Sequence, residues 1–373
     1  MIQRKVPASP VLDFLGRDSA SEEIRVGVSS CLIGEKVRYD GGDRYHPFIN
    51  DRLAQCVRLI PVCPEVEAGL GTPREPMDLV LENDGLHLRG VESDRDFPST
   101  LKQIAHAKAD ELRRLGLCGF VFKSKSPSCG LRSARVKTGA NGDGQKGATA
   151  RAPASNGSSA VRTGRGLFAS ALLSALPWLP VEEESGLLNA ERREAFLERI
   201  FALHRLRRLF GSHWNLESLT EFHSNESFLL LAQGGSGPPR LDALLERAGS
   251  PEGIPAPSVR LAEDYCRLYL EAMWILDAAA FDPTRESPAS VPSSSEGRSR
   301  RRQAEVFKRL AACVEGMVSD EELAEIWTAI EDFGRGVIDR TVPLLRIRET
   351  AKTHRLPGLA AQSFLAPFPE VLM

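Results

Sequence analysis

Short apolar runs alternate with amphipathic stretches over the first half of the chain. Ile24 to Ser29 (IRVGVS) and Val57 to Val62 (VRLIPV) are β-branched runs of the length expected of buried strands. Residues 99–115 instead space their apolar positions at helical intervals behind Ser99, a candidate N-cap, and Gly116 closes that helix. Leu117 to Lys123 (LCGFVFK) gives a third strand, and GLFASALLSALPWL at 166–179 returns to helix, closed by Pro177 and Pro180. Strands alternating with helices predict an α/β fold, an open parallel sheet flanked by helices. From about 187 the period changes. Residues 190–210 place Phe196, Ile200, Leu203, Leu206 and Phe210 on one helical face, and long helical patterns follow at 258–281 and 301–340. This half is expected to be a mainly α-helical second domain.

Three polar segments punctuate the pattern. Residues 1–23 carry charges throughout and no sustained apolar core, which predicts a flexible lead-in rather than a secretory signal. Residues 137–165 are rich in Gly, Ser and Ala and read as a disordered insertion within the first domain. Residues 282–299 are a Pro/Ser-rich linker within the second. The expected domains are therefore 24–186 and 187–373.

At 373 residues, 42% hydrophobic and 26% charged, the composition is that of an ordinary two-domain globular protein. No stretch approaches the roughly 18 apolar residues of a membrane span, so cytoplasm is the expected location. A net charge of −2 argues against a wholly basic nucleic-acid binder, such as one for DNA, but leaves local patches open. The densest are Arg205, Arg207 and Arg208, and the run Arg298, Arg300, Arg301 and Arg302. They read either as phosphate contacts or as solvated helix faces.

Seven cysteines, an odd number spread widely, favour ligation, catalysis or buried thiols over disulfides in a reducing compartment. Each predicted strand of the first domain runs into a cysteine-bearing loop: SSC at 29–31, CPE at 63–65 and SPSCG at 126–130. Sites in open α/β sheets form at the carboxyl ends of the strands, so Cys31, Cys63 and Cys129 are expected along one sheet edge. No CxxC pair occurs, and three soft thiolates without histidine suit an iron–sulfur cluster better than catalytic zinc. The alternative is three small buried hydrophobes at strand ends. Cys56, Cys118, Cys266 and Cys313 lie in apolar patterns and read as plain buried thiols.

Around these cysteines stand the candidates for proton work. Glu65, two residues after Cys63, comes first, against a role as a loop carboxylate at a helix start. Asp40, in VRYDGG, comes second, against a turn-forming Asp before Gly. Ser124, Ser126 and Ser128 are candidate hydrogen-bond donors to cluster sulfur or to a bound base, or simple turn residues. Lys123 and Arg74 are candidate anion contacts, or cations facing solvent.

VGVSSCLIGEKVRYDGG, then IPVCPEVEAGLGTPREPMDL, KSKSPSCGL and the G-x-G-L-F-A run at 164–169 resemble the thiouracil desulfidase (TudS) family over roughly residues 24–180. The resemblance implies a 4Fe-4S cluster held by Cys31, Cys63 and Cys129, with the fourth iron open to the sulfur of a thiolated base. It also implies removal of that sulfur without net redox change. EFHSNESFLLLAQ, DFGRGVIDRTVPLLRIRE and AAQSFLAPFPEVLM resemble the YbgA-type domain. A fusion of the two resembles the desulfidases of 4-thiouridine in transfer RNA (RudS-like), which implies thiolated transfer RNA as partner. The second half departs from its pattern: Glu226 and Ser227 stand where that family shows histidine and lysine, and EVFKRLAACVEG replaces its His-x-x-Gly-Tyr run. These departures keep free thiouracil, or another small thiolated compound, open as substrate. A reading of another class is a non-catalytic iron–sulfur sensor.

Overall fold

The computed structural model describes residues 10–15, 22–82, 85–93, 95–138, 161–234, 237–250, 253–278 and 294–373. Most of the predicted insertion (139–160) and of the predicted linker (282–293) lies outside the described residues. The chain divides into two compact units, Glu23–Phe196 and Leu197–Met373 with Met1–Glu22. Within the stretch read as a flexible lead-in, α1 (Pro10–Leu15) is helical and buries Val11, Phe14 and Leu15.

The first unit is built on a parallel sheet, as the alternation of runs predicts. Its strands are β1 (Arg25–Ser29), β2 (Arg58–Val62), β5 (Gly119–Phe122) and β8 (Val181–Glu183), in the order β2-β1-β5-β8. All neighbours are parallel, with Gly27 opposite Ile60 on one side and Phe120 on the other. Both central strands, β1 and β5, are buried almost end to end, as expected when helices cover a parallel sheet. After the short α2 (Pro64–Glu67), α3 (Pro98–Arg114) buries Leu101, Ala105, Ala109 and Leu112, a stripe at helical spacing.

A second sheet was not foreseen. It takes β3 (Met77–Glu82), β4 (Gly85–Gly90), β6 (Ala134–Thr138) and β7 (Val161–Gly164) in the order β4-β3-β6-β7. β6 and β7 include both ends of the segment read as a disordered insertion, and they pair antiparallel from Ala134↔Gly164 to Lys137↔Val161. Met77, Leu79, Leu88, Ala134 and Val136 give this sheet its own small core. Then α4 (Leu167–Ala175) follows, with Phe168 packed edge-on at 5.6 Å from Phe120 and 6.1 Å from Phe122.

Gly27 is required by that packing. A Cβ there would lie 2.2 Å from the Phe120 ring and 3.1 Å from Leu117. Gly27→Ala is expected to cost about 1–3 kcal/mol through overpacking, read as a lower denaturant midpoint.

The long helix α5 (Ala190–Gly211) is followed by α6 (Leu216–Gln233), α7 (Gly237–Ala248), α8 (Val259–Ala278), α9 (Ser294–Ala312), α10 (Asp320–Arg335), α11 (Thr341–Thr353) and the short α12 (Pro357–Ala360). The pattern at 301–340 is thus two helices. Gly316, at φ +75°, and a capping box between Ser319 and Glu322 separate them. α9 also begins inside the segment read as linker.

The basic residues read as phosphate contacts are largely spent inside this helical unit. Arg205 donates to the buried Glu226 through Nε at 2.6 Å and Nη2 at 3.1 Å. Glu226 also accepts from Tyr269 Oη at 2.7 Å and Ser363 Oγ at 2.6 Å. Arg207 is buried, donates to the Phe14 carbonyl at 2.9 Å and stacks over its ring. Neither guanidinium can serve a phosphate without breaking a buried network. Arg300 covers the Phe333 ring, whereas Arg208 and Arg301 are exposed. The side chain of Arg298 lies outside the described residues.

Candidate functional site

The parallel sheet carries each cysteine of interest just beyond a strand. Cys31 sits in the 3-10 turn Ser30–Ile33 after β1, Cys63 caps α2 after β2, and Cys129 lies on the loop after β5. All three line one cavity of about 380 Å³. Cys31 and Cys129 are buried and Cys63 half-buried.

Local chemistry fixes the third loop. Ser126 Oγ accepts from the backbone N–H of Cys129 at 3.0 Å and of Ser128 at 3.3 Å. Carbonyls of Pro127 and Ser128 receive the N–H groups of Leu167 and Phe168, so the loop caps the start of α4. A Cβ on Gly166 would lie 2.4 Å from the Ser128 carbonyl oxygen, which is why the G-x-G-L-F-A run needs glycine at that point.

Burial governs the three thiols. It pushes Cys31 up to about 11, against the opposing pull of Lys123 and Arg38. Cys63 is raised, and Cys129 well raised, in each case chiefly by burial. Two of the thiols also feel the charge of others in the set: Cys31 that of Cys63, and Cys129 that of both. Without metal, the three are protonated at neutral pH. A raised thiol contributes stability that is full below its ordinary value of 9.0 and is lost as pH climbs through about 11. The metal-free protein is therefore expected to melt at lower temperature at about pH 10 than at pH 8, a loss that thermal unfolding reads directly.

The cavity wall adds an ion pair. Glu65, in the first turn of α2, receives Arg74 Nε at 2.9 Å and Arg74 Nη2, both on Oε2. Among the described residues its Oε1 has no hydrogen-bond partner. Arg74 is anchored in turn by the carbonyls of Val37 at 3.0 Å and Gly71 at 2.8 Å. It is a buried cation committed to Glu65, not one facing solvent.

The remaining candidates separate. Asp40 is not part of the cavity lining. It accepts the Gly42 N–H at 3.0 Å and pairs with Arg38, contacts that hold its carboxyl below the usual range. It does turn chemistry, and steers Arg38, which does line the cavity. Ser124 lines the cavity, but its Oγ donates to Glu184 at 2.6 Å and accepts from Lys123 Nζ at 3.1 Å, so its hydroxyl proton is committed. Ser126 lines it with its hydroxyl proton uncommitted. Ser128 is fully buried, and its Oγ has no partner among the described residues. Lys123 pairs with Glu184 and also bonds the Ser124 carbonyl at 2.9 Å.

The run Glu182, Glu183 and Glu184 was missed by sequence reasoning. β8 has only three residues, and a triple carboxylate reads as solvated surface, yet Glu182 and Glu183 are buried. A charged run directly after an apolar helix and two prolines was the available signal. Of the four other cysteines, Cys118 and Cys266 are buried, Cys56 is half-buried, and Cys313 is exposed, contrary to its assignment to an apolar pattern.

Among the described residues no three His, Cys, Asp or Glu side chains converge closely enough to hold a single metal ion. No helix among them is long and apolar enough to cross a membrane.

Residues 26–184 match the family model described as 2-thiouracil desulfurase, and residues 294–369 match DUF1722, a family of unknown function. An uncharacterized protein of Bacillus subtilis (strain 168), YbbK, is 29% identical over 108 residues, which is 28% of this chain and 71% of that one. A solved structure described as the [4Fe-4S]-dependent thiouracil desulfidase TudS is 26% identical, with a TM-score of 0.34, over 46% of this chain and 97% of that one.

Proposed function

We propose that this protein, whose residues 26–184 form a 2-thiouracil desulfurase domain, removes sulfur from a thiolated pyrimidine with a 4Fe-4S cluster held by Cys31, Cys63 and Cys129. The observation that carries the proposal is the meeting of three strand-end thiols in one cavity beside the Glu65–Arg74 pair. The donor set supports a cluster over zinc. Three thiols with no histidine in the cavity lining suit an iron–sulfur cluster, whereas a single zinc would draw its thiolates to about 2.3 Å from one centre. Cluster thiols sit on separate irons and stand farther apart. When bound, a cluster with one iron left free by the protein supplies a soft Lewis acid for a thiocarbonyl sulfur.

The chain's own residues supply the rest. Oε1 of Glu65 is free to take a proton from the water that attacks the ring carbon. Arg74 holds the other oxygen and keeps the carboxylate aimed. Ser126 has a proton to offer a base or a sulfur. Water adds, sulfide leaves, and the thiocarbonyl becomes a carbonyl, so no electrons are gained or lost overall. Three raised thiols must release protons to become ligands, which favours loading at higher pH.

Of the two substrates, 4-thiouridine in transfer RNA is supported by the cavity rim. Exposed Tyr39, Arg44 and Lys125 there suit a stacked base and its neighbouring phosphates. Free thiouracil is the second reading, favoured by the pairing of Arg205 with Glu226 and the burial of Arg207 in the helical unit. Anaerobic reconstitution with iron and sulfide, followed by incubation with thiolated transfer RNA and with free 4-thiouracil, tests both. Loss of thiocarbonyl absorbance with release of sulfide from the RNA supports the first. Turnover of the free base alone supports the second. A loaded protein that turns over neither is a sensor, and the desulfidase proposal fails.

A further inference from the structure

The loop that carries Cys129 leaves β5 and runs from Lys123 to Ser133 without regular secondary structure until β6. Such a loop needs its backbone groups satisfied from elsewhere. Two adjacent glutamates at the end of the neighbouring strand do this, Glu183 closing β8 and Glu184 just beyond it. Oε1 of Glu183 accepts from the N–H groups of Leu131 at 2.9 Å, Arg132 at 3.1 Å and Ser133 at 3.2 Å, and from Ser133 Oγ at 2.6 Å. Three successive backbone N–H groups thus converge on one buried carboxylate oxygen, the arrangement that elsewhere holds an anion. Glu184 grips the opposite end, receiving the N–H of Ser124 at 2.6 Å, its hydroxyl at 2.6 Å, and Lys123 Nζ.

We propose that Glu183 and Glu184 are positioning residues that clamp the two ends of the Cys129 loop and so set where the third ligand stands. Neither lines the cavity, so neither is a catalytic residue. The inference rests on the cluster reading for its functional consequence but not for its structural core. β8 pairs with β5 in register, Phe122 opposite Glu183, so the carboxylates arrive level with the start of the loop. A buried carboxylate suits the task better than an amide, because one oxygen accepts four donors and charge-assisted bonds are the stronger kind. Glu182, on the same strand, provides the contrast. Its Oε1 receives Arg192 at 2.6 Å and the Glu183 backbone N–H at 2.8 Å, and among the described residues it makes no hydrogen bond to the loop, so its loss disturbs β8 without removing a side-chain contact from the loop.

The test uses Glu183→Gln, Glu183→Ala, Glu184→Gln and Glu182→Gln in the full chain. Amide hydrogen exchange of the metal-free proteins is read first. Exchange at 131–133 is expected to speed up roughly tenfold or more in the Glu183 variants and to stay unchanged in Glu182→Gln. For Glu184→Gln the same change is expected at 124. After reconstitution, the Glu183 variants should hold less iron and sulfide than Glu182→Gln and show an altered cluster spectrum, with Glu183→Gln milder than Glu183→Ala. Unchanged exchange at 131–133 together with full loading in Glu183→Ala overturns the inference, and if Glu183→Ala does not fold, the same outcome in Glu183→Gln does. Failure of the wild-type chain to take up any cluster sinks the desulfidase reading but leaves the exchange measurement to decide the clamp.

Discussion

Cys63→Ala is expected to give a folded, colourless protein that releases no sulfide. The side chain is half-buried; its thiol makes a long contact, 4.0 Å, to the Val37 carbonyl and faces the backbone N–H groups of Val66 and Glu65. Truncation removes one sulfur from a cavity wall, a loss of about 1 kcal/mol by burial arithmetic. Cys63 also begins α2 through its backbone, which alanine preserves. Ligation is another matter. Changing a group that merely supports a ligand already costs roughly 10–100-fold in metal affinity, so loss of one of three ligands should cost more than that. Iron, sulfide and visible absorbance measured after reconstitution check it, with Cys118→Ala as the comparison. Cys118 is equally a thiol of the sheet, buried at the entry to β5 and outside the cavity, and its variant should load in full. A loaded, active Cys63→Ala protein removes Cys63 from the ligand set.

The parallel sheet was legible because its physics is local. β1 and β5 are continuous apolar runs, since strands covered on both faces need no alternation, and the edge strand β2 reads as an apolar run although only Val62 of it is buried. Their carboxyl ends then locate the three cysteines with no further assumption. The second sheet was not legible for the opposite reason. β6 and β7 are short, sit at the ends of a stretch poor in large apolar residues, and join a sheet through β3, remote in sequence, over a core that also takes Leu88, Leu101 and Leu167. Propensity cannot report a core assembled from such distant pieces. Buried charge misled in the same way. Arg205 and Arg207 read as phosphate contacts or a solvated face and Glu183 was passed over, because charged residues are seldom buried unless paired, and the pairing partners lie far along the chain. Arg74 is the instructive case: nine residues from Glu65, it was read as an anion contact, and the anion it contacts is Glu65 itself.

That pairing shapes the second large effect. Glu65→Gln is expected to keep the cluster and lose turnover by roughly 10²–10⁴-fold, the usual worth of a positioned general base. Glutamine has nearly the same volume and still presents an oxygen to Arg74, so the cavity wall should survive, although Arg74 becomes a buried cation without its counter-charge. What disappears is the carboxylate Oε1, which has no hydrogen-bond partner among the described residues. Cluster content and spectrum, measured beside kcat, separate the two roles. If Glu65 only braced the wall, spectrum and loading would change along with the rate, and Arg74→Ala would behave alike. If it transfers the proton, Glu65→Gln loads normally and fails in kcat with little change in KM, because substrate sulfur is held elsewhere. Wild-type kcat in a fully loaded Glu65→Gln protein would remove the carboxylate from the chemistry and shift proton transfer to a group such as Ser126, whose hydroxyl proton lines the same space.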